Sequence, residues 1–428
     1  MEQKNKLIPE LRFPEFLSDL NWSERLIEEF FSVGSSKRIL QEDWTNKGIP
    51  FYRTRELVSL SKNEPFGSEI FISEKLFSEL SEKYEIPSEG DYLVSGVGTL
   101  GICYQVKAND KFYFKDGNVL WFKLRKGIVS NYFKFCFQSE YIQNQILKQA
   151  SVSTVGTYTI QNAKKTSLLY PPSLNEQQKI ADCLTSLDDV ISAHTDKLEA
   201  LKNHKKGLLQ NLFPQEGKKV PNYRFPEFVN DGEWEPTTVD ENCNVKGRIG
   251  FRGYTKEDLV SKEKGVLVIG GKHIQNHMLD LSDPTFLSLE KYYESPEIMI
   301  EINDIVFSQR GTLGDCAIID REIGDATINP SMVLLKKIKC NPRFLYYILI
   351  GESIQNEVAK SRTSAAIPML SQKQIREFSF LIPNPKEQKK IAECLSVLDN
   401  LISERTLKIE QLKAHKKGLI QGLFPKIN

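Results

Sequence analysis

One long amphipathic segment occurs twice in this chain, and it limits the possible folds more than any other feature. Residues 176–214 read EQQKIADCLTSLDDVISAHTDKLEALKNHKKGLLQNLFP, and residues 387–425 read EQKKIAECLSVLDNLISERTLKIEQLKAHKKGLIQGLFP. Aligned without gaps, 25 of 39 positions are identical. In the first copy Ile180, Leu184, Leu187, Ile191, His194, Leu198, Leu201, Lys205, Leu208 and Leu212 recur in alternating steps of four and three, a heptad seam. The second copy repeats the seam with Ile391, Leu395, Leu398, Ile402, Arg405, Ile409, Leu412, Lys416, Leu419 and Leu423. Each copy predicts a helix of about 55 Å, at ~1.5 Å per residue. A seam of that length needs an equally long partner, so the two helices are predicted to pair with each other. The polar seam members read as register-setting or solvated positions.

The repeat extends beyond the helices. Pro9-Glu-Leu-Arg-Phe-Pro-Glu-Phe16 is followed by Trp22, and Pro221-Asn-Tyr-Arg-Phe-Pro-Glu-Phe228 by Trp234. These segments read as extended straps anchored by their aromatics, with no chemistry of their own. Between strap and helix lie two globular stretches, 23–170 and 235–382. In the first, Gly48–Arg53 and Asn118–Leu124 read as strands, residues 90–106 as a hairpin around a glycine turn, and Ser130–Gln149 as one helix. The second follows the same order, with Gly265–Gly271, the turn at 303–314, the strand Ser331–Lys337 and the helix-like Pro342–Lys360. The clearest match inside them is Gly98-Thr-Leu-Gly101 with Gly311-Thr-Leu-Gly314. Nearly fixed helices and divergent globular parts imply a shared scaffold holding two different binding heads.

Connectivity then bears on the sense of pairing. The link from Pro214 to Pro221 spans at most ~25 Å. A parallel pair would need a return of ~55 Å, so the helices are expected to run antiparallel, with a pseudo-two-fold arrangement of the repeats.

At 428 residues the chain holds two or more domains, and no apolar run is long enough for a membrane span. Seven scattered cysteines without a CxxC pair argue against a zinc site or disulfide framework and for a reducing cytoplasm. Cys183 and Cys394 read as small apolar fillers beside the seam. Net charge is only +1, but its distribution is uneven. Residues 107–165 carry ten Lys/Arg against three acids, and residues 336–376 eight against two. Two basic zones at matched positions suggest polyanion contact at two places. Catalytic signatures are missing: there is no Walker loop, and Asn329-Pro330 does not continue into a methyltransferase motif. His273 and His277 lie in a loop-like stretch without a suitably placed carboxylate, so no metal site is expected there.

The strap motif, the GTLG turn, the helix opening Asn175-Glu-Gln-Gln-Lys-Ile-Ala-Asp-Cys-Leu184 and the ending Lys205–Pro214 resemble the specificity subunits of type I restriction–modification enzymes, over essentially the whole chain. The resemblance implies an α/β (α+β) fold: two mixed α/β target-recognition domains separated by two long antiparallel helices that form a coiled coil. Residues 1–170 would be the first target-recognition domain, with its strap at 1–22, and 171–214 the first helical region. Residues 215–382 would be the second target-recognition domain and 383–428 the second helical region. The implied function is non-catalytic: each domain reads one half of a bipartite double-stranded DNA site, while the helices set the spacer and dock two modification (methyltransferase) subunits. Restriction subunits would then join. S-adenosylmethionine, ATP and Mg would be used by those partners, not by this chain. The competing reading is a two-headed protein scaffold without DNA.

Base reading in a groove needs Arg, Lys, Asn, Gln, His or hydroxyl side chains on strand ends and loops. Candidates in the first head are Arg53, Arg55, Ser95, Thr99, Lys115, Asn118, Ser153, Thr154 and Tyr158. In the second they are Lys272, His273, Gln275, Gln309, Arg310, Thr312, Asn329, Arg362, Thr363 and Ser364. For partner docking the exposed helix faces offer Gln177, Lys179, Asp188, Lys205 and Lys206, matched by Gln388, Lys390, Asp399, Lys416 and Lys417.

Overall fold

The computed structural model describes residues 7–61, 70–150, 156–362 and 368–426. The chain divides into two units, one of residues 1–195 with 407–428 and the other of residues 196–406. The boundary falls inside both long helices, so each unit holds one globular head, a stretch of the first long helix and a stretch of the second.

The first long helix spans Leu174–Asn211 and the second Pro385–Leu423, each starting two residues earlier than the repeat suggested. Their starts are capped: Glu176 N donates to the Ser173 hydroxyl, and Asn384 Oδ1 accepts from the backbone of Lys386 and Glu387, with Pro385 in the first helical position. The first ends at Asn211, before Leu212-Phe213-Pro214, and the second at Leu423, before Phe424-Pro425; a proline and its predecessor cannot continue a helix.

Within each unit the two helix stretches run antiparallel. In the first unit Lys416 Nζ lies 2.6 Å from Asp188 Oδ1. In the second Lys205 Nζ lies 2.5 Å from Asp399 Oδ1. The residue numbers of both pairs add to the same total, so each unit pairs its two helix stretches in the same way. Ile180 and Leu184 in the first unit, and Ile391, Leu395 and Ile402 in the second, bury the apolar seam.

Each head has the same strand order. In the first, Phe31–Gly34, Val119–Leu124, Tyr92–Ser95 and Cys103–Gln105 form one antiparallel sheet. A second sheet orders Trp44–Thr45, Phe71–Ile72, Ile49–Tyr52 and Tyr113–Phe114, the last two strands running parallel. The second head repeats both sheets, as Asn244–Gly247, Met332–Lys336, Ile305–Ser308, Cys316–Ile318, and as Leu259–Val260, Phe286–Ser288, Gly265–Ile269, Ala326–Ile328. It adds the small hairpin Ile274–Gln275 with Met278–Leu279. The expected single helices are each two. Ser130–Phe137 is followed by Glu140–Ala150, and Pro342–Ile350 by Glu352–Arg362. The first member of each pair is buried on nearly every side, and the turn lets the second keep a wet face.

The straps do carry chemistry, contrary to the sequence reading. Arg12 Nε and Nη2 each donate to Glu176 at 2.8 Å, a bidentate pair in which the side chains are 4% and 1% exposed. Arg224 holds Glu387 in the same way at 2.9 and 2.8 Å. Trp22 Nε1 also donates to Glu176, at 3.2 Å, whereas Trp234 Nε1 has no acceptor among the described residues. The straps also meet the ends of the long helices: Leu11 N donates to Gly422 O, and Tyr223 N to Asn211 O. Phe424 packs edge-on against Trp22, and Phe213 against Trp234. The carboxyl end of the second helix thus seats beside the amino-terminal strap as the end of the first seats beside the internal one.

Removing one member of such a pair strands a buried charge, which costs about 3 kcal/mol. Arg12→Ala should lower stability in urea by about that much, and Arg12→Met with Glu176→Leu by clearly less. Glu176→Ala should cost more than Glu387→Ala, because it also orphans the Trp22 indole. Equal losses for the single and paired changes would show that the carboxylates are not held this way.

Candidate nucleic-acid interface

In each head the parallel strand pair delivers its carboxyl ends to one edge, and backbone hydrogen bonds knit three further segments onto it. In the first head Lys115 N donates to Tyr52 O, Gly96 N to Asn118 O and Tyr158 N to Gly96 O, all at 2.8 Å, and Val97 bridges Thr157. Arg53, Thr99, Lys115 and Asn118 are therefore brought together. Arg53 is fixed by Glu56, which is 2% exposed: Nη2 reaches Oε1 at 2.6 Å and Nε reaches Oε2 at 3.1 Å. Burial pushes the Glu56 carboxyl up, but the Arg53 hydrogen bonds outweigh it and hold it below the usual carboxylate range. Arg55 lies beside the same carboxylate and stays exposed, and Lys115 pairs with Asp116 at 3.1 Å.

In the second head Asn329 N donates to Ile269 O, Gln309 N to Ser331 O and Leu370 N to Gln309 O, and Arg310 bridges Met369. Lys272, Gln309, Arg310, Thr312 and Asn329 share this edge. A Cβ on Gly270 would come within 2.3 Å of Asn329 Nδ2, and one on Gly271 within 3.5 Å of the Thr312 hydroxyl. Lys272 is exposed and paired with Asp283, and Gln275 is exposed on the added hairpin.

Three candidates belong to the framework. Ser95 is fully buried; its hydroxyl donates to Thr99 O and accepts from Ile102 N, closing the turn. Ser308, at the matching place in the second head, donates instead to Arg310 O and accepts from the Thr312 hydroxyl. Tyr158 is buried with its hydroxyl on Thr166. His273 is 2% exposed; its Nδ1 accepts from Gly270 N, so Nε2 carries the proton and donates to Asp283 O. Burial holds the imidazole below its ordinary pKa, consistent with that neutral tautomer. Ser153, Thr154, Thr363 and Ser364, and the side chain of Arg362, lie outside the described residues.

The helix-face candidates divide as well. Gln177 and Gln388 are buried, which corrects their reading as exposed: Gln177 accepts from Val129 N and donates to Pro171 O, and Gln388 does the same with Asn341 N and Pro383 O. Asp188, Lys205, Asp399 and Lys416 are engaged across the helix pair, Asp188 also with Lys134 and Asp399 also with the Tyr347 hydroxyl. Lys179 and Lys390 tie down the straps through Glu15 and Glu227. Lys206 and Lys417 remain exposed. Among the described residues no three His, Cys, Asp or Glu side chains gather as a metal set, and no helix is long and apolar enough to cross a membrane.

A family model described as the type I restriction modification DNA specificity domain matches residues 20–203 and again residues 232–414. The chain belongs to this family. It is 23% identical over 417 residues to the putative type I restriction enzyme MjaX specificity subunit of Methanocaldococcus jannaschii, covering 94% of this chain and 93% of that one. To the MjaVIII specificity subunit of the same organism it is 25% identical over 262 residues, which is 59% of this chain and 60% of that relative's length. The crystal structure of a type I restriction–modification S subunit from M. genitalium shares the fold, with a TM-score of 0.64 at 17% identity over 99% of this chain and 100% of that one. A chain from a structural study of complex assembly and conformational transition in the type I R-M system superposes with a TM-score of 0.52 at 13% identity, covering 94% and 97%.

The specificity-domain heads share a glutamine behind the GTLG turn that the sequence analysis does not single out. Gln143 Nε2 donates to Phe137 O, and Gln355 Nε2 to Leu349 O and Gly314 O. These glutamines press on the last glycine of each GTLG turn. A Cβ on Gly314, at φ +84°, would come within 2.9 Å of both Gln355 and Val358, whereas one on Gly311, at φ +77°, would meet nothing within 4 Å among the described residues. Gly311→Ala should therefore cost about 1 kcal/mol of backbone strain, and Gly314→Ala clearly more. Equal losses in thermal unfolding would show that the glutamine does not set the turn.

Proposed function

We propose that this chain is the DNA-specificity subunit of a type I restriction–modification assembly and reads a bipartite, asymmetric duplex site. The observation that carries the reading is the duplicated edge: two heads with one strand order present differently composed polar loops at the same place. Loop-borne Arg, Lys, Asn and Gln side chains are the donors and acceptors that distinguish base edges, while the neighbouring basic residues suit phosphates. Arg53 and Arg310 are the leading base-reading candidates, since their backbones are fixed and their neighbours come from three other segments.

The chain acts by binding, not by catalysis. S-adenosylmethionine, ATP and Mg belong to its partners, the two modification subunits and the restriction subunits. The seven free cysteines suit a reducing cytoplasm. The two long helices set the spacer between half-sites, and their outer faces, including Lys206 and Lys417, receive the modification subunits.

Methylation-sensitive sequencing of DNA from cells expressing this chain with its modification subunit tests the reading. The expected result is one two-part motif. Exchanging residues 23–170 for those of another specificity subunit should change one half of it only. No methylated bipartite motif would favour the scaffold reading instead. Seven residues inserted after Leu201, with seven more after Ser403 opposite, keep the heptad seam and should lengthen the spacer by about three base pairs, at ~1.5 Å per helical residue and ~3.4 Å per base pair. An unchanged spacer would rule out the ruler.

A further inference from the structure

Each recognition edge contains a peptide unit that is held at both ends. In the second head the unit joins Ile328 to Asn329: the Asn329 N–H donates to Ile269 O at 2.9 Å, and Ile328 O accepts from Arg248 Nε at 3.3 Å. In the first head it joins Phe114 to Lys115: the Lys115 N–H donates to Tyr52 O at 2.8 Å, and Phe114 O accepts from the Ser36 hydroxyl at 2.7 Å. Ser36 and Arg248 come from the same place, just beyond the strands Phe31–Gly34 and Asn244–Gly247, which pair with the strands that leave the turns 115–118 and 329–331. Ser35 holds the far side of the first turn, donating to Val119 O and accepting from Gly117 N. Arg248 is the odder of the two clamps. It is 8% exposed, and its other donors reach Thr327 Oγ1 at 3.2 Å and oxygens of Arg252, Lys291 and Ser295 at 3.4–3.5 Å. All these acceptors are neutral, and the neighbouring Glu294 and Glu297 are taken by Lys291 and Arg252. A buried cation without a carboxylate of its own is costly, so stability does not account for it.

We propose that Ser36 and Arg248 are positioning residues for sequence reading: each orients the first residue of its turn, Lys115 or Asn329, toward the base edges, and so fixes part of the half-site its head accepts. This rests on the function proposed above. A peptide unit pinned at its N–H alone can still pivot; pinned at its C=O as well, it directs the next side chain one way. Base reading needs that, because a hydrogen bond weakens steeply once its angle is lost. Asn329 is constrained further: its Oδ1 accepts from the backbone and hydroxyl of Ser331, which leaves its Nδ2 to donate to a base acceptor. The clamped peptide unit is common to both heads, but the clamp is a hydroxyl in one and a guanidinium in the other, so each head sets its turn independently.

The test uses the full-length chain purified with its modification subunit. It compares methylation rates on duplexes carrying the wild-type motif and on duplexes with one base changed in one half. Arg248→Met keeps the apolar stem and removes the donors. It should lower discrimination in the half read by the second head about tenfold, the scale of one base contact, and leave the other half unchanged. Arg248→Lys, which keeps a donor, should recover part of that loss. Ser36→Ala should lower discrimination in the first head's half only, and it carries the test should Arg248→Met fail to fold. Unchanged discrimination in the folded Arg248→Met and Ser36→Ala complexes, at whatever overall rate, would overturn the inference and leave the specificity function intact. An equal fall in both halves from either variant would also overturn it, since that reports a loosened fold and not an oriented turn. A wild-type complex that methylates no bipartite motif would overturn the functional reading itself, and the inference with it.

Discussion

Two lysine–aspartate contacts, Lys416 with Asp188 and Lys205 with Asp399, fix how the long helices meet. Apolar seams alone tolerate slippage by a heptad and do not choose a direction strongly. A charged pair that is satisfied in one antiparallel register and no other removes both freedoms. Because the two helices are copies, each supplies one Asp and one Lys, and the two contacts are the same interaction made twice. Each is reinforced from the head of its own unit, by Lys134 on Asp188 and by the Tyr347 hydroxyl on Asp399.

From that pairing follows the way each unit is assembled. A unit takes the start of one long helix and the end of the other, and its strap closes over both. Glu176 and Glu387 are the fastening points, each buried at a helix start and gripped by a strap arginine. The heads are then free to differ in their loops, since the elements that hold them are buried and common to both. Where the loops do share residues, in the GTLG turn and the glutamine behind it, the shared pair shapes the edge on which the differing residues stand.

Much of this could be read in the sequence. The heptad seams, the repeat and the antiparallel sense all rest on periodicity or chain length, which need no knowledge of tertiary contact. The strap arginines show no sign of their role in the sequence around them, because a bidentate pair across more than 160 residues leaves no local pattern. Identical arginines in two otherwise short motifs were the available clue. Gln177 and Gln388 read as exposed because they are polar, yet both are buried. They stand three residues before Ile180 and Ile391, on the seam stripe, and their amides serve buried backbone groups. Ser95, Tyr158 and His273 have the chemistry of base readers but spend it on neighbouring backbone or hydroxyl groups. The first pair of short helices reads as one because Gln138-Ser139 carries no proline or glycine to mark the break; in the second pair Gly351 does mark it.

The most direct test of the pairing is a pair of double-mutant cycles, Lys205→Ala with Asp399→Ala and Asp188→Ala with Lys416→Ala, followed by denaturant unfolding of the full chain. Antiparallel pairing in this register predicts a favourable coupling of about 1 kcal/mol within each pair. It predicts none between Asp188 and Asp399, which a parallel pair would bring together. Zero coupling within both pairs, or a repulsive coupling between the two aspartates, would contradict it.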